Sequence, residues 1–161
     1  MKRLIITFLT LIFWVSGCAT LDFALTHNIV QTDYRSGVEY PQVQVFRSYK
    51  EIEAYSNSLA EGFQDLPNDH FTHDRSFVET LKRYNKDYFR ENILIIATIS
   101  AGSGGDRFAI DDITKTDDAL TISIQKTKSG MTCDMAAWHI LLELDSSCDT
   151  DSANIKVEII E

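Results

Sequence analysis

The chain is poor in the residues that interrupt folded structure: among 161 residues it has 2 prolines and 7 glycines. No stretch therefore has the composition of a low-complexity linker or of collagen. An excess of basic residues is also missing, since 24 acidic residues outnumber 15 basic ones and the formal net charge is −9. This charge disfavours nucleic-acid binding, which needs a basic surface for phosphates. A hydrophobic content of 44% predicts one globular domain rather than a disordered chain or a multi-span membrane protein.

Long apolar runs are missing as well, apart from one near the N-terminus. Leu4 to Val15 is apolar and follows Lys2 and Arg3. The run is too short for a free-standing transmembrane helix, which needs about 20 residues. This arrangement is typical of a secretory signal peptide, here over residues 1–17. A short buried core helix is the alternative interpretation.

Directly after the apolar run, Val15-Ser16-Gly17-Cys18 resembles a bacterial lipobox. In lipoproteins this cysteine is acylated and becomes the first mature residue, and more than one acyl chain gives a stable membrane anchor. Ordinary signal cleavage that leaves a free Cys18 thiol is the alternative. Ala19 and Thr20 supply no aspartate for inner-membrane retention. We therefore expect a lipid-anchored protein of the bacterial cell envelope, on the periplasmic face of the outer membrane in a Gram-negative host. Its acidic body should stand off anionic lipid head groups.

Two further cysteines remain if Cys18 is lipidated, and the envelope is an oxidising compartment. We therefore expect a disulfide between Cys133 and Cys148. The two flank a predicted strand from Trp138 to Leu144, so the flanking loops would have to fold back to bring their Cα atoms within about 4.4–6.8 Å. Two free thiols, or one reactive thiol at Cys133, are the alternatives.

Two helices are predicted in the first half of the chain. Residues 18–40 are interpreted as a lipid-anchored tether with a candidate first strand near Asn28 to Thr32, and residues 41–161 as the folded domain. Capping boxes, in which a serine and a glutamate three residues later satisfy the first N–H groups of a helix, begin at Ser48 and Ser76. Each predicts a helix with one apolar stripe, and the polar segment 64–75 between them is predicted to be a loop.

Alternating or continuously apolar segments predict strands before and after these helices. They are Gln42–Phe46, Ile93–Ile99, Arg107–Ile113, Leu120–Gln125, Trp138–Leu144 and Ile155–Ile159. The connections are too short for parallel crossovers, so most pairs are expected to be antiparallel. We predict an α+β fold, with two helices followed by a mainly antiparallel β-meander of about four to six strands in a single domain.

The second half of the chain has three segments in a characteristic order. A buried strand (NILIIATIS, residues 92–100) leads into a glycine-rich turn (AGSGGDRFAI, residues 101–110), and a hairpin precedes TCDMAAWHILLELD at residues 132–145. Over residues 42–160 this pattern resembles the PrcB C-terminal-like domain family of bacterial envelope proteins. The namesake is a lipoprotein that stabilises a surface protease, so the resemblance implies an accessory or binding role. The family's Thr-Gly-Gly-Tyr stretch is replaced here, because Asp106 stands where tyrosine is common.

Two groups of residues are candidates for function. A cysteine nucleophile needs a histidine within hydrogen-bond reach and a group that orients it, so Cys133, His139 and Asp134 form a candidate set. The structural alternative is a bridged Cys133 with His139 on the outer face of its strand. The glycine-rich turn is either a plain hairpin turn or an exposed loop that contacts a partner. Its residues are Gly102, Ser103, Gly104, Gly105 and Asp106.

Two polar loops contain residue types that bind metals. The first has two histidines three residues apart without an evident third zinc ligand. The second has three aspartates without the spacing and glycine of a calcium-binding EF-hand. We interpret both as solvated loops and predict no metal site and no cofactor. The residues concerned are Asp69, His70, His73 and Asp74 in the first loop and Asp145, Asp149 and Asp151 in the second.

The leading functional hypothesis is a lipid-anchored, non-enzymatic module that binds or stabilises another envelope or secreted protein, with a protease as one candidate. Its contact surface would be an exposed sheet edge or the glycine-rich turn. The alternative is a small envelope hydrolase or thiol enzyme that uses Cys133, His139 and Asp134 and therefore requires a free thiol. A purely structural envelope protein is the third hypothesis.

Overall fold

The computed structural model describes residues 27–35, 37–62, 72–116, 119–148 and 150–160. Within these ranges the chain forms two α-helices, seven β-strands and two single-turn 3₁₀ helices. In chain order the helices and strands are β1 (His27–Asp33), β2 (Gln42–Phe46), α1 (Tyr49–Gly62), α2 (Thr72–Leu81), β3 (Asn92–Ala101), β4 (Arg107–Lys115), β5 (Leu120–Lys128), β6 (Ala136–Asp145) and β7 (Ile155–Ile160). The 3₁₀ turns are Tyr88–Arg90 and Ser152–Asn154.

The strands form two sheets, which confirms the α+β class and corrects the predicted single meander. One sheet has four antiparallel strands in the order β1-β6-β3-β2, and the other has three in the order β4-β5-β7. The described residues thus contain seven strands rather than about four to six. The count is higher because β1 and β2, which precede the helices, join the same sheet as β3 and β6.

One strand pair is parallel, although the short connections between the predicted strands favour antiparallel pairs. β5 pairs antiparallel with β4 but parallel with β7, with Leu120 opposite Ile155 and Ile124 opposite Ile159. Parallel neighbours need a long crossover. Here β6 lies between β5 and β7 in sequence and belongs to the other sheet, so it supplies the crossover.

The four-stranded sheet is covered on both faces. On one face, residues such as Ile95 and Ile140 pack against residues of the three-stranded sheet such as Ile122. On the other face, Leu94 and Leu141 pack against the helices. Burial on both faces explains why β3 is continuously apolar in sequence.

The capping boxes predicted the start of one helix correctly and the start of the other wrongly. At the start of α1, the N–H of Glu51 donates to Oγ of Ser48 at 3.4 Å, as that capping box predicts. The second prediction is wrong, because α2 begins at Thr72 and Ser76 lies inside it. The predicted loop over 64–75 therefore ends earlier, and residues 63–71 lie outside the described part of the chain.

The described part of the chain starts at residue 27, so only the N-terminal predictions from that residue onward can be compared with the structure. The signal peptide, the apolar run and Cys18 lie outside the described residues. The candidate strand near Asn28 to Thr32 is confirmed as β1, which pairs with β6 from His27 opposite Leu142 to Asp33 opposite Ala136. Within the described ranges, no helix is long and apolar enough to span a bilayer.

Candidate functional site

The glycine-rich turn after β3 is bound to the loop that precedes β6. Oγ of Ser103 lies 2.7 Å from Oγ1 of Thr132 and accepts the N–H of Thr132 at 3.1 Å. The N–H of Gly104 donates to the carbonyl oxygen of Asp134 at 2.8 Å. Ser103 and Gly104 are buried. These two residues therefore bind the turn to the rest of the fold.

Asp106 completes this connection. Its Oδ1 accepts the N–H of Gly130 at 2.7 Å, and Nζ of Lys126 lies 3.1 Å from its Oδ2. The Gly130 N–H and then the Lys126 ammonium hold the pKa of Asp106 below its usual range, although burial opposes this. Gly102 is exposed and Gly105 is partly exposed. A partner that binds this turn, as predicted, would therefore have to contact Gly102 and Gly105, because the other three residues of the turn are buried.

The expected disulfide is absent, because the two described cysteines are free thiols. Cys133 is exposed and precedes β6, whereas Cys148 is buried and follows it. β6 has 10 residues. A strand of that length separates its ends by about 30 Å, and the flanking loops do not close this distance. Sγ of Cys148 instead accepts a hydrogen bond from Nζ of Lys115 at 3.4 Å.

His139 is held between two threonine hydroxyl groups. Its Nε2 lies 2.8 Å from Oγ1 of Thr32, and its Nδ1 lies 2.9 Å from Oγ1 of Thr98. The ring also stacks on Phe77 of α2, with 3.9 Å between the ring centroids and an interplanar angle of 13°. The expected position of His139 on an exposed outer face is therefore wrong, since α2 covers that face of the sheet.

This environment keeps the His139 ring neutral. The residue is 8% exposed. Burial, with a smaller contribution from the positive charge of Arg35, lowers the pKa of His139 to about 3. A ring with both nitrogens hydrogen-bonded and a pKa this low is a poor general base at neutral pH.

The proposed catalytic set is not assembled around this ring. Asp134 is oriented by its own loop, where a hydrogen bond from the Thr132 side chain is the largest cause that lowers its pKa. Cys133 is exposed on the same loop. The ring nitrogens of His139 have threonine hydroxyls as their partners rather than the thiol of Cys133. The structure therefore places Cys133 and Asp134 together and His139 apart from them.

A cavity of about 170 Å³ lies beside His139, between the four-stranded sheet and the helices. Its inner wall includes the threonine–histidine group just described. Gln42 and Gln44 of β2, which are exposed, line its outer part, so the cavity opens to solvent. Tyr55 of α1 contributes a largely buried ring, and burial raises the pKa of its hydroxyl to about 12. Asp33 at the end of β1, together with Arg35 and Tyr40 from the connection between β1 and β2, completes the polar lining.

The lining offers many groups for non-covalent binding. Two glutamine amides and two tyrosine hydroxyls can donate and accept hydrogen bonds, the Asp33 carboxylate can accept them and the Arg35 guanidinium can donate them. The neutral ring of His139 and the high pKa of Tyr55 leave neither of them as a base at neutral pH. The cavity is therefore lined mainly by hydrogen-bonding and charged side chains, and its apolar part consists of Val38, Leu59, Phe77 and Ala137.

Sequence patterns did not predict this site, although one signal was present. Thr98 interrupts the otherwise apolar run from Ile93 to Ile99. A hydroxyl group in a strand that is buried on both faces needs a hydrogen-bond partner. That partner, His139, lies directly opposite Thr98 in the neighbouring strand.

The candidate metal-binding loops are only partly described. His70 and Asp69 lie outside the described residues, and the side chains of His73 and Asp74 are not described either. Across the ranges that the structure describes, no three side chains of His, Cys, Asp or Glu are grouped as metal ligands would be. Asp145 of the second loop accepts hydrogen bonds from Ser147, which lower its pKa.

Searches of protein-family models, curated proteins and solved structures gave no match to this chain.

Proposed function

We propose that this chain is a lipid-anchored protein of the bacterial envelope that binds a segment of another envelope or secreted protein without catalysing a reaction. The observation that carries the proposal is the cavity beside His139. It opens to solvent and is lined by hydrogen-bonding groups, whereas its buried histidine is neutral and fully hydrogen-bonded. A neutral histidine with both ring nitrogens hydrogen-bonded contributes to recognition rather than to acid–base chemistry at neutral pH.

The location beside an edge strand favours a protein segment as the ligand. β2 pairs with β3 on one side and is the last strand of its sheet in the order β1-β6-β3-β2. An extended segment can add to such an edge through main-chain hydrogen bonds, and alternate side chains then give specificity. Gln42 and Gln44 lie on β2 and line the cavity. A segment added to β2 would therefore project every second side chain toward the cavity mouth.

The N-terminal sequence supports the proposed location. Val15-Ser16-Gly17-Cys18 follows the apolar run directly, as in bacterial lipoproteins. A lipid anchor would hold the binding domain at a membrane surface and raise its effective concentration near other anchored proteins. The resemblance to the PrcB C-terminal-like domain family makes a protease one candidate partner.

Site-specific photo-crosslinking in the native host tests this proposal. A photoreactive phenylalanine analogue replaces Gln44 at the cavity mouth, and the matched control replaces Lys156, an exposed residue of β7 in the other sheet. We expect a discrete crosslinked protein from the Gln44 position after irradiation of intact cells, with no such band from the Lys156 position. Mass spectrometry of the band then identifies the partner.

Two results would contradict the proposal. One is the absence of any crosslinked band at Gln44 in cells that contain normal amounts of the protein. The other is the same set of bands from Gln44 and Lys156, which would indicate collisions with abundant proteins rather than binding at the cavity.

A further inference from the structure

β7 forms an open edge of the three-stranded sheet. It is the last strand in the order β4-β5-β7, and across the described residues no strand pairs with its other side. β4, at the opposite edge, has register shifts at Arg107/Phe108 and Ile110/Asp112, and such irregularities disfavour further pairing. β7 instead pairs with β5 in one continuous register from Ile155 to Ile160. Its outer side therefore presents a regular row of main-chain groups to which another strand can add.

The inner face of β7 leaves one apolar side chain half covered. Its residues Ile155, Val157 and Ile159 lie opposite β5 residues that belong to the core between the two sheets. Ile155 is 8% exposed, but Ile159 is 48% exposed although it pairs with the fully buried Ile124. A strand added at the open edge would supply the apolar neighbour that Ile159 lacks on that side.

The outer face of β7 carries two charges of opposite sign. Lys156 and Glu158 are two residues apart, so they share this face, and both are exposed. Within the part of the chain that the structure describes, neither residue forms an ion pair. A lysine and a glutamate in this arrangement match the same pair on a strand that runs in the opposite direction.

Charge selects one register for pairing β7 with a second copy of itself. Antiparallel copies that keep the same face inward can be centred on Lys156, Val157 or Glu158. Centring on Lys156 or Glu158 places like charges directly opposite each other, which destabilises the pair. Centring on Val157 places Lys156 of each copy opposite Glu158 of the other. The same register places Ile155 of each copy opposite the half-exposed Ile159 of the other, so both faces of the strand pair are complementary.

We propose that the chain forms a symmetric dimer in which β7 pairs antiparallel with β7 of a second copy, centred on Val157. The two three-stranded sheets then become one continuous sheet, and both copies contribute the same edge. A single strand pair buries little area, so we expect affinity in the micromolar range. This edge is separate from β2 and the cavity beside His139, so the dimer does not depend on the proposed protein partner. A crosslink formed from Lys156 would contain two copies of this chain and differ from the partner expected at Gln44.

Charge reversal at the two exposed positions tests the dimer and its register. Each protein is purified as the full chain in detergent with a reducing agent, and sedimentation velocity measures self-association up to about 100 μM, well above a micromolar dissociation constant. We expect the wild type to dimerise. Lys156→Glu or Glu158→Lys replaces both attractive pairs with repulsive ones and should weaken the dimer about tenfold or more. Both side chains are exposed, so far-ultraviolet circular dichroism should be unchanged.

Two further samples separate this strand pairing from general effects of charge. The double substitution Lys156→Glu and Glu158→Lys restores opposite charges across the pair and should restore the dimer. An equimolar mixture of the two single variants should form a mixed dimer, because one variant then presents two glutamates and the other two lysines. Glu158→Lys also lowers the net negative charge, so non-specific association would increase in this variant whereas the proposed dimer weakens.

Three results would overturn the proposal. One is a wild type that stays monomeric up to about 100 μM, since the dimer is expected to form well below that concentration. Another is a dimer that persists with unchanged affinity in both single variants, which would place the interface away from β7. The third is a double variant that folds normally and stays monomeric, because the Val157-centred register pairs its charges as in the wild type.

Discussion

Oγ1 of Thr32 in β1 lies 2.8 Å from Nε2 of His139 in β6, so a side-chain hydrogen bond reinforces the backbone pairing of these two strands. Thr98 of β3 contacts the other ring nitrogen at 2.9 Å. A neutral imidazole has one donor and one acceptor nitrogen, and a hydroxyl can serve as either partner. The two threonines therefore satisfy the neutral ring fully, whereas protonation would place a positive charge in a buried site.

The stability of the fold should therefore depend on pH through His139. Burial lowers the folded-state pKa of His139 to about 3, and an unfolded histidine titrates near the ordinary pKa of 6.5. Between these values the unfolded chain binds the extra proton and the folded chain does not. The stability contribution is thus complete above pH 6.5 and is lost as the pH falls toward about 3, by about 1.4 kcal/mol per pH unit. Urea unfolding at a series of pH values measures this loss.

The control is His139→Gln, since an amide also donates and accepts but does not titrate. We expect this variant to be less stable at neutral pH and to have a shallower decline toward acid, because only the carboxylates then contribute. Identical slopes for the two proteins, or an imidazole signal of His139 that titrates near pH 6.5 by nuclear magnetic resonance, would contradict the assignment.

Strand positions were largely predictable from the sequence because local patterning determines them. The apolar run Ile93 to Ile99 predicts a strand buried on both faces, and β3 has this environment. The pairing of β7 was not predictable in the same way. Alternation at Ile155, Val157 and Ile159 predicts a strand, but its parallel partner β5 is separated from it by all of β6. Local sequence carries no information about such a non-local choice.

The candidate site was much less predictable, and His139 shows why. It alternates with Trp138 and Ile140, so a one-sided sheet would place it in solvent. The face that carries His139 is covered by α2, and the capping box at Ser76 predicted the wrong start for this helix. Leu141, on the same face, was the available sign that this side is buried. Without the helix position, neither the stacking on Phe77 nor the cavity could be inferred.

The close packing of the glycine-rich turn predicts that two glycines will respond differently to substitution. A Cβ at Gly130 would come within 3.0 Å of the Gly105 backbone, whereas a Cβ at Gly102 meets nothing within 4 Å. We expect Gly130→Ala to lower the free energy of unfolding by about 1–3 kcal/mol, because backbone must move. Gly102→Ala should change it by no more than about 0.5 kcal/mol. Chemical unfolding of both variants gives the comparison, and equal midpoints would show that the turn adjusts without cost.

The two described cysteines should differ in reactivity. Cys133 is exposed and Cys148 is buried, so brief alkylation of the native protein should modify Cys133 and spare Cys148, and alkylation in denaturant should modify both. Peptide mass spectrometry without a reducing agent locates the labels. A peptide pair that contains both residues joined by a disulfide would contradict the structure and restore the bridge expected from the cysteine count.

Lipidation of Cys18 can be tested separately from the fold. Cells grown with an alkyne-tagged palmitate should label the wild-type protein, because the Val15-Ser16-Gly17-Cys18 sequence directs acylation in bacterial lipoproteins. The Cys18→Ser variant should carry no label, and Cys133→Ser, which retains the N-terminal cysteine, should be labelled normally. If the wild type is unlabelled and its mature N-terminus carries an unmodified thiol, ordinary signal cleavage has occurred. The binding domain would then lack a lipid anchor, and its partner would have to be sought among soluble envelope proteins as well as those at the membrane.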